Sequence, residues 1–249
     1  MKPNKNFIQL NQSLESKLSN DYDLLTQRLN NSLHPVLKLE LKNFLTTGLV
    51  PESVENLFKE RNYFDSDRDN FELKFGLMTL RYSFVEQFGF VLLNNKILDI
   101  TADFLKDKSV CEIGAGTGWL SYQLQKRDIN ITAIDYKPGH DSDFGFKKLH
   151  TEVLMMNGID YLESNFPDVV ILSWPDYDTS FASDILSLLQ KGQTLIYIGE
   201  GEGGCTGDDA FFELLNKKTE LNETVTHSLQ KESLCWNGVH DTWYVFEVK

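Results

Sequence analysis

The sequence has few cysteines and no long apolar run. Its three cysteines are too few and too scattered for a disulfide framework or a zinc site, so we expect reduced thiols and no metal centre. No segment approaches the roughly 18 apolar residues that span a bilayer, and the N-terminus lacks the apolar core of a signal peptide. We therefore expect a cytoplasmic protein with no membrane partner.

Positive charge is also scarce. Lys and Arg number 24 against 37 for Asp and Glu, which gives a net charge of −13. Such a field repels a phosphate backbone, so bulk nucleic acid is disfavoured as a partner, although a local basic patch remains open. Apolar residues make up 41% of the 249 residues, which excludes overall disorder and predicts one main core with an appendage.

The first part of the chain reads as helical. From Phe7 to Leu29, apolar residues recur in steps of three and four, the spacing of an amphipathic helix. A second helix is expected from Pro35 to Gly48, and a third begins at Pro51. We place a helical N-terminal region at 1–94 and a second domain at 95–249.

The second domain alternates short apolar runs with helical stretches. This alternation predicts an α/β fold with a Rossmann-like, doubly wound, mostly parallel sheet. Near the C-terminus two strand-like runs with a short connection predict an antiparallel hairpin at the sheet edge. The predicted strands are Ser109 to Ile113, Ile129 to Ile134, Val169 to Leu172, Thr194 to Ile198, Leu221 to Leu229 and Thr242 to Val248, and the predicted helices are Trp119 to Arg127 and Phe181 to Gln190.

The most informative string is VCEIGAGTGWLS, in which a strand runs through Gly114, Gly116 and Gly118 into a helix. Glycines let a backbone turn tightly and approach a ligand, and the start of a helix presents free N–H groups. The spacing is G-x-G-x-G, and Trp119 occupies the place of the third glycine of a dinucleotide fingerprint. A nucleotide-like ligand is therefore expected here.

This string, with a second strand that ends in Asp135, resembles the seven-stranded (class I, Rossmann-like) S-adenosylmethionine-dependent methyltransferases over roughly residues 95–249. The resemblance implies S-adenosyl-L-methionine as cofactor, with the glycine loop against its methionine part and Asp135 on its ribose hydroxyls. Asn157 stands where the family contacts the adenine amino group. The residues assigned to cofactor binding are Glu112, Gly114, Ala115, Gly116, Gly118, Asp135, Asn157, Gly158 and Ser173.

Two loops are expected to face the methyl acceptor, because ligands of open α/β sheets bind outside the carboxyl ends of the strands. The loop after the fourth strand is similar to the Asn/Asp/Ser-Pro-Pro-Tyr/Phe motif of family members that act on planar amino groups, with Trp174 in its first place. The loop after the fifth strand has five glycines in nine positions, which is costly in backbone entropy. We predict catalytic roles for Asp176, Tyr177 and Glu200 and substrate contacts for Trp174, Glu202 and His240.

Further segments are candidates for the same pocket. The start of the last strand is expected to carry His240 and its neighbours Trp236, Asp241 and Trp243 towards the cofactor. A lid over the cofactor is expected from residues 84–99, with Phe88, Phe90 and Asn94 as contacts.

Alternatives stay open at each of these places. The two loops are equally consistent with packed aromatic side chains and a flexible glycine segment, His240 with a surface position, and the 84–99 segment with core packing. A nicotinamide enzyme would use Asp135 equally well, and a cofactor-binding scaffold without turnover would keep the same motifs. The acceptor is expected to be a small molecule or a protein.

Overall fold

The computed structural model describes residues 35–59, 80–137 and 148–249, together with a few isolated positions. Three of those positions, Ser19, Asn20 and Asp23, are helical, and the rest of the helix predicted from Phe7 to Leu29 lies outside the described residues. The other isolated positions are Leu77, 140–141 and 145–146. None of the helices in this part of the chain is long and apolar enough to cross a bilayer.

Short helices occupy the described N-terminal part, as predicted. Helix α1 ends where Gly48 takes a φ of +70° and donates its amide to the Phe44 carbonyl at 2.8 Å. The helix predicted from Pro51 is a 3₁₀ turn followed by one helical turn. The bounds are α1 Pro35–Thr47, 3₁₀ Glu52–Val54, α2 Asn56–Lys59, a helix with described residues 80–88, and α3 Asn95–Leu105.

Residues 110–248 contain a seven-stranded sheet in the order β5-β2-β1-β6-β7-β9-β8. All its pairs are parallel except those of β9, which runs antiparallel to both neighbours, so the predicted fold class is confirmed. The strands are β1 Val110–Ile113, β2 Ile131–Asp135, β5 Leu154–Met155, β6 Val169–Ser173, β7 Thr194–Gly199, β8 Thr219–Leu221 and β9 Thr242–Val248, and a separate pair is β3 His140–Asp141 with β4 Gly145–Phe146.

The strand predicted from Leu221 to Leu229 is wrong beyond its first residue. The Asn222 side chain accepts the Val225 amide at 3.2 Å and caps a helix, α8, which buries Leu229. Val225 and Leu229 are four residues apart, so the pattern fits a helix as well as a strand. The antiparallel pair therefore closes through a helix rather than a tight turn. The helices between β1 and β9 are α4 Trp119–Gln125, α5 Gly158–Ser164, α6 Phe181–Leu188, α7 Asp209–Lys218 and α8 Glu223–Glu232.

A hydrophobic core lies on each face of the sheet, since alternate strand residues point to opposite sides. Helices α5, α6 and α7 cover one face. The other face shares its core with α3, α4, α8 and the described N-terminal helices. Trp236, predicted to point towards the cofactor, instead packs in that core against Phe44, Phe58 and Phe84, with ring centroids 5.4 to 6.1 Å apart. Trp243 is buried in the same core.

Gly48 offers a stability test. A Cβ there would lie 2.4 Å from Phe88 Cδ1 and 2.7 Å from Trp119 Cζ2, whereas one at Gly192, also at positive φ, would meet nothing within 4 Å. We expect Gly48→Ala to lower the free energy of unfolding by roughly 2–4 kcal/mol from strain plus overpacking, and Gly192→Ala by about 1 kcal/mol from strain alone. Equal losses in chemical denaturation would contradict this packing.

Candidate active site

The glycine loop follows β1 at the point where strand order reverses, between β1 and β6. All three of its glycines have positive φ, and a Cβ on Gly116 would meet nothing within 4 Å, so this position opens onto free space. Gly118 differs, because a Cβ there would lie 2.8 Å from Val153 Cγ2. Gly116 is therefore free to face a ligand, while Gly118 starts α4 and packs against the chain.

Asp135, the last residue of β2, holds this loop. Its Oδ2 accepts the Gly116 amide at 2.8 Å, and its Oδ1 accepts the Lys137 amide at 2.7 Å. The Ile134 carbonyl accepts the Gly114 and Ala115 amides, both at 2.9 Å. A carboxylate offers about four lone-pair sites, so Asp135 keeps acceptor capacity for a ligand beside the loop.

Two clefts meet at the carboxyl ends of β1, β2 and β6, where the ligands of open α/β sheets bind. We call the first the inner cleft and the second the lateral cleft. Gly114, Asp135, Ser173 and Trp174 line both. The inner cleft adds Phe88, Gly89, Phe90, Val91, Leu93, Glu112, Ala115, Gly116, Thr117, Trp119 and Leu120, and the lateral cleft adds Ile113, Ile134, Tyr136, Met156, Asn157, Gly158, Pro175, Asp176, Thr179 and Phe181.

The charged side chains that line these clefts are all acidic. They are Glu112, Asp135 and Asp176, and no Lys, Arg or His is among the described lining residues. Glu112 is buried and accepts both the amide, at 3.1 Å, and the hydroxyl, at 2.5 Å, of Ser121. Burial nevertheless raises the pKa of Glu112 to about 7, because these bonds only partly offset desolvation. The clefts therefore favour a ligand with positive charge.

The structure brings eight of the nine predicted cofactor residues to these clefts, all except Gly118. Asn157 uses its side-chain oxygen to accept the Ile159 amide at 2.9 Å, so it also caps α5. Gly158 has a packing role as well, because a Cβ there would lie 2.3 Å from Ile113 Cγ2. Their contacts with a ligand stay predictions.

The two predicted acceptor loops are joined. The loop after β6 pairs with the loop after β7 through an Asp176–Thr206 bridge and through the Gly207 amide, which donates to the Pro175 carbonyl at 2.9 Å. Asp176 lies at the mouth of the lateral cleft, and its Oδ1 accepts the Asp178 amide at 3.0 Å. The glycine-rich loop is thus tied to the site, although its glycines do not line either cleft.

Glu200 is buried and acts within the protein. Its Oε2 accepts the Cys205 amide at 2.7 Å and its Oε1 accepts the His240 amide at 2.9 Å. Burial raises the pKa of Glu200, but these bonds outweigh burial and leave it below its ordinary value. Glu200 therefore ties the loop after β7 to the start of β9, and it does not line either cleft.

Three other predicted residues lie at the surface rather than in the clefts. Tyr177 is 52% exposed, Glu202 is exposed, and the side chain of His240 is 64% exposed. Their proposed roles at an acceptor remain predictions, and the described clefts do not include them.

An aromatic wall, only partly predicted from the sequence, closes the inner cleft. Phe90 stacks on Trp174 with ring centroids 4.8 Å apart, and the Arg81 guanidinium carbon lies 5.3 Å from the Trp174 ring centroid. Trp174 has a φ of +54°, a left-handed conformation that is rare for a bulky residue and marks strain at the end of β6. Phe88 and Phe90 line the inner cleft and Phe88 is also buried in the core, so the lid itself stays a prediction.

Some site features differ from the sequence prediction. Asn94 does not reach the clefts, because it caps α3 through the Ile97 amide at 2.8 Å and donates to Glu55 at 3.0 Å. Sequence reasoning missed Tyr136 and Met156, which line the lateral cleft and are 69% and 42% exposed. Their positions directly after β2 and β5 were the available signal.

No protein-family model matches the chain, and no curated protein matches its sequence. Among solved structures it is similar to the N-methyltransferase NodS from Bradyrhizobium japonicum WM9, with 12% identity over 61% of this chain and 92% of that chain and a TM-score of 0.42. It is also similar to the magnesium protoporphyrin IX methyltransferase ChlM from Synechocystis PCC 6803, with 14% identity, 88% and 100% coverage and a TM-score of 0.40. TehB from Haemophilus influenzae gives 10% identity, 68% and 67% coverage and a TM-score of 0.41.

Similarity at this level says nothing about the reaction or the acceptor of this chain. The sheet itself has the architecture that the sequence predicts, mostly parallel with an antiparallel strand towards one edge. The glycine loop follows its first strand, an acidic residue ends its second, and an antiparallel strand lies near the sheet edge.

The buried Glu112 predicts a pH dependence of stability. Its raised pKa means that the folded protein binds a proton at the Glu112 carboxyl group more tightly than the unfolded chain does. The stability that this protonated carboxyl group contributes is therefore lost as pH rises from about 4.5 through about 7. Glu112→Gln removes that loss. The measured quantity is the free energy of unfolding of Glu112→Gln minus that of the unmodified protein, obtained by denaturant unfolding. We expect this difference to be larger at pH 8 than at pH 5.5 by on the order of 2 kcal/mol.

Glu163→Gln is the control, since it makes the same charge change at an exposed position on α5. An advantage of Glu112→Gln that does not change with pH would mean that the buried carboxyl group is not the cause.

Proposed function

We propose that the chain is an S-adenosylmethionine-dependent methyltransferase acting on a small-molecule or protein acceptor. The observation that carries this proposal is a pair of clefts at the reversal of strand order, whose charged lining residues, Glu112, Asp135 and Asp176, are all acidic. S-adenosylmethionine carries a sulfonium and an ammonium group, so two of its three charges are positive. An acidic lining attracts both.

The same lining argues against a dinucleotide. A pyrophosphate brings two negative charges to the start of the helix after the glycine loop. Here that place lies close to the buried carboxyl group of Glu112, which accepts the Ser121 amide in the first turn of that helix, and no described cation lines the inner cleft. The G-x-G-x-G spacing, with a buried Trp119 in place of the third glycine, agrees with this.

The residues present fit the cofactor. Asp135 has acceptor capacity left for ribose hydroxyls, Gly116 leaves room beside the loop, and Asn157 and Gly158 line the lateral cleft, where the adenine is expected. Glu112 would hold the ammonium group, since a nearby cation favours the charged form of its carboxyl. When bound, the cofactor would supply a methyl group whose carbon is bonded to a positively charged sulfur. The lone pair of an acceptor attacks this carbon, and the carbon–sulfur bond breaks.

The protein's own task would be alignment of the acceptor, which can supply most of the rate. Trp174 offers a flat face between the two clefts, and Asp176 places a carboxylate at the mouth of the lateral cleft, where it would orient an N–H or O–H group or accept its proton. Tyr177 would contact the acceptor from the rim. Glu200 would act as a positioning residue, because it holds the loop that braces Asp176.

Cofactor binding is the first test. We expect S-adenosylmethionine and its demethylated product to raise the thermal unfolding temperature of the protein, because a ligand selective for the folded state stabilises it. NAD is expected to give no shift. A shift with NAD alone, together with no heat of binding for S-adenosylmethionine in calorimetry, would contradict the proposal.

A matched pair of variants locates the site. Gly116→Val and Gly192→Val both place a side chain at positive φ where a Cβ meets nothing within 4 Å, but only Gly116 lines a cleft. The two variants should lose similar stability, and only Gly116→Val should lose cofactor affinity. Unchanged affinity in Gly116→Val would place the cofactor elsewhere.

Transfer is tested with labelled S-adenosylmethionine on a panel of metabolites and peptides. On any acceptor found, we expect Asp176→Asn to reduce kcat, measured at saturating cofactor, at least about tenfold, some 1.4 kcal/mol of transition-state stabilisation. Asp209→Asn, an exposed carboxylate on α7, is the control. Full activity in Asp176→Asn would remove that residue from the mechanism, and binding with no transfer to any acceptor would favour a non-catalytic scaffold.

A further inference from the structure

We propose a second binding site, separate from the cofactor clefts, for a small flat molecule that carries an anionic group. It is a cleft on the far side of Phe88 and Trp119, which we call the outer cleft. This inference does not depend on the proposed function. The described lining residues are Ser19, Lys42, Leu45, Thr46, Thr47, Leu49, Gln87, Phe88, Trp119, Tyr122, Gln123, Lys126, Lys148, Leu149 and His150.

The charge of the outer cleft is opposite to that of the chain. Lys42, Lys126 and Lys148 line it, and its described lining contains no Asp or Glu, although the whole chain has a net charge of −13. The three lysines come from α1, from the end of α4 and from the segment before β5. Lys42 and Lys126, from two separate segments, thus place cations at one cavity, which favours an anionic occupant.

One wall of the outer cleft is aromatic. His150 lies with its ring centroid 4.6 Å from that of Trp119 and 5.4 Å from that of Phe88, and Tyr122 stacks on Trp119 at 5.8 Å. Burial lowers the pKa of His150 to about 4, and its Nε2 is 2.6 Å from the Gln87 carbonyl oxygen. At neutral pH this residue therefore adds a ring to the wall and no charge.

Rings and cations lie next to each other here. The Lys126 ammonium is 5.6 Å from the centroid of the Tyr122 ring, so a ligand lying on the aromatic wall would have its anionic substituent within reach of a lysine. Such pairing of flat faces with cations is how proteins bind a ring that bears a phosphate or a carboxylate. A polymer of such units is disfavoured, because beyond the cleft it would meet an acidic protein.

Two clefts of opposite charge thus share one wall. Phe88 and Trp119 line both, with the acidic inner cleft on one side and the basic outer cleft on the other. An aromatic anion would be repelled by Glu112 and Asp135 and attracted by the lysines. The outer cleft is therefore expected to select ligands that the cofactor clefts reject.

The test uses phenyl phosphate as the probe, with binding followed by saturation-transfer NMR of the probe at low salt. We expect binding that weakens as salt is raised, because the lysines are partly exposed and are screened. The double variant Lys42→Gln, Lys126→Gln should weaken binding by about fivefold or more. Lys191→Gln, an exposed lysine outside the described lining, should leave binding unchanged. Both variants change exposed residues, and an unchanged unfolding temperature checks that they fold.

Two further probes test the two halves of the proposal. Inorganic phosphate lacks the ring and benzyl alcohol lacks the charge, so both should bind more weakly than phenyl phosphate. Because inorganic phosphate has no carbon-bound proton, its binding is measured by competition with phenyl phosphate. Absence of phenyl phosphate binding, equal binding in the double lysine variant, or equal binding of inorganic phosphate would overturn the inference. Gly116→Val, which tests the cofactor site, should leave phenyl phosphate binding unchanged, so failure of one proposal is distinguishable from failure of the other. Loss of binding in that variant would also count against a separate site.

Discussion

The hydrogen bond from the Gly116 amide to the Asp135 carboxylate is the constraint on which the site depends. It joins the loop after β1 to the end of β2 at 2.8 Å, and the same carboxylate holds the Lys137 amide. The Gly114 and Ala115 amides donate to the Ile134 carbonyl, so the Asp135 carboxylate supplies the acceptor for the Gly116 amide. Asp135 lines both the inner and the lateral cleft, and Gly116 lines the inner cleft, so this bond fixes part of the lining of each.

Charge is distributed unevenly around the Phe88–Trp119 wall. Glu112 lines the inner cleft, and burial raises the pKa of its carboxyl group to about 7. The outer cleft is lined by lysines. A chain with a net charge of −13 thus carries both an acidic cleft that suits a cationic cofactor and a local basic one, which net charge alone does not reveal.

Buried polar groups near the acceptor loops act mainly on the backbone. Glu200 holds the Cys205 and His240 amides, and the Tyr197 hydroxyl donates to the Glu200 carbonyl at 2.7 Å. These bonds satisfy amides and carbonyls in a glycine-rich segment that has few side chains to pack. They explain how a loop of high backbone entropy keeps a defined position beside Asp176, through the bridge to Thr206.

The sequence by itself determined the parallel strands of the sheet and the glycine loop after β1, because strands buried on both faces and a glycine loop leave local signals that need no knowledge of distant contacts. Only the tertiary structure decided the rest. The apolar pattern of the 221–229 segment fits the period of a helix as well as that of a strand, and the cap that Asn222 forms makes it a helix. Trp236 lies in the core because it packs against Phe44 and Phe58, which are far from it in sequence. The inward role of Glu200 and the basic outer cleft likewise arise from residues far apart in the chain, whose proximity no local pattern encodes.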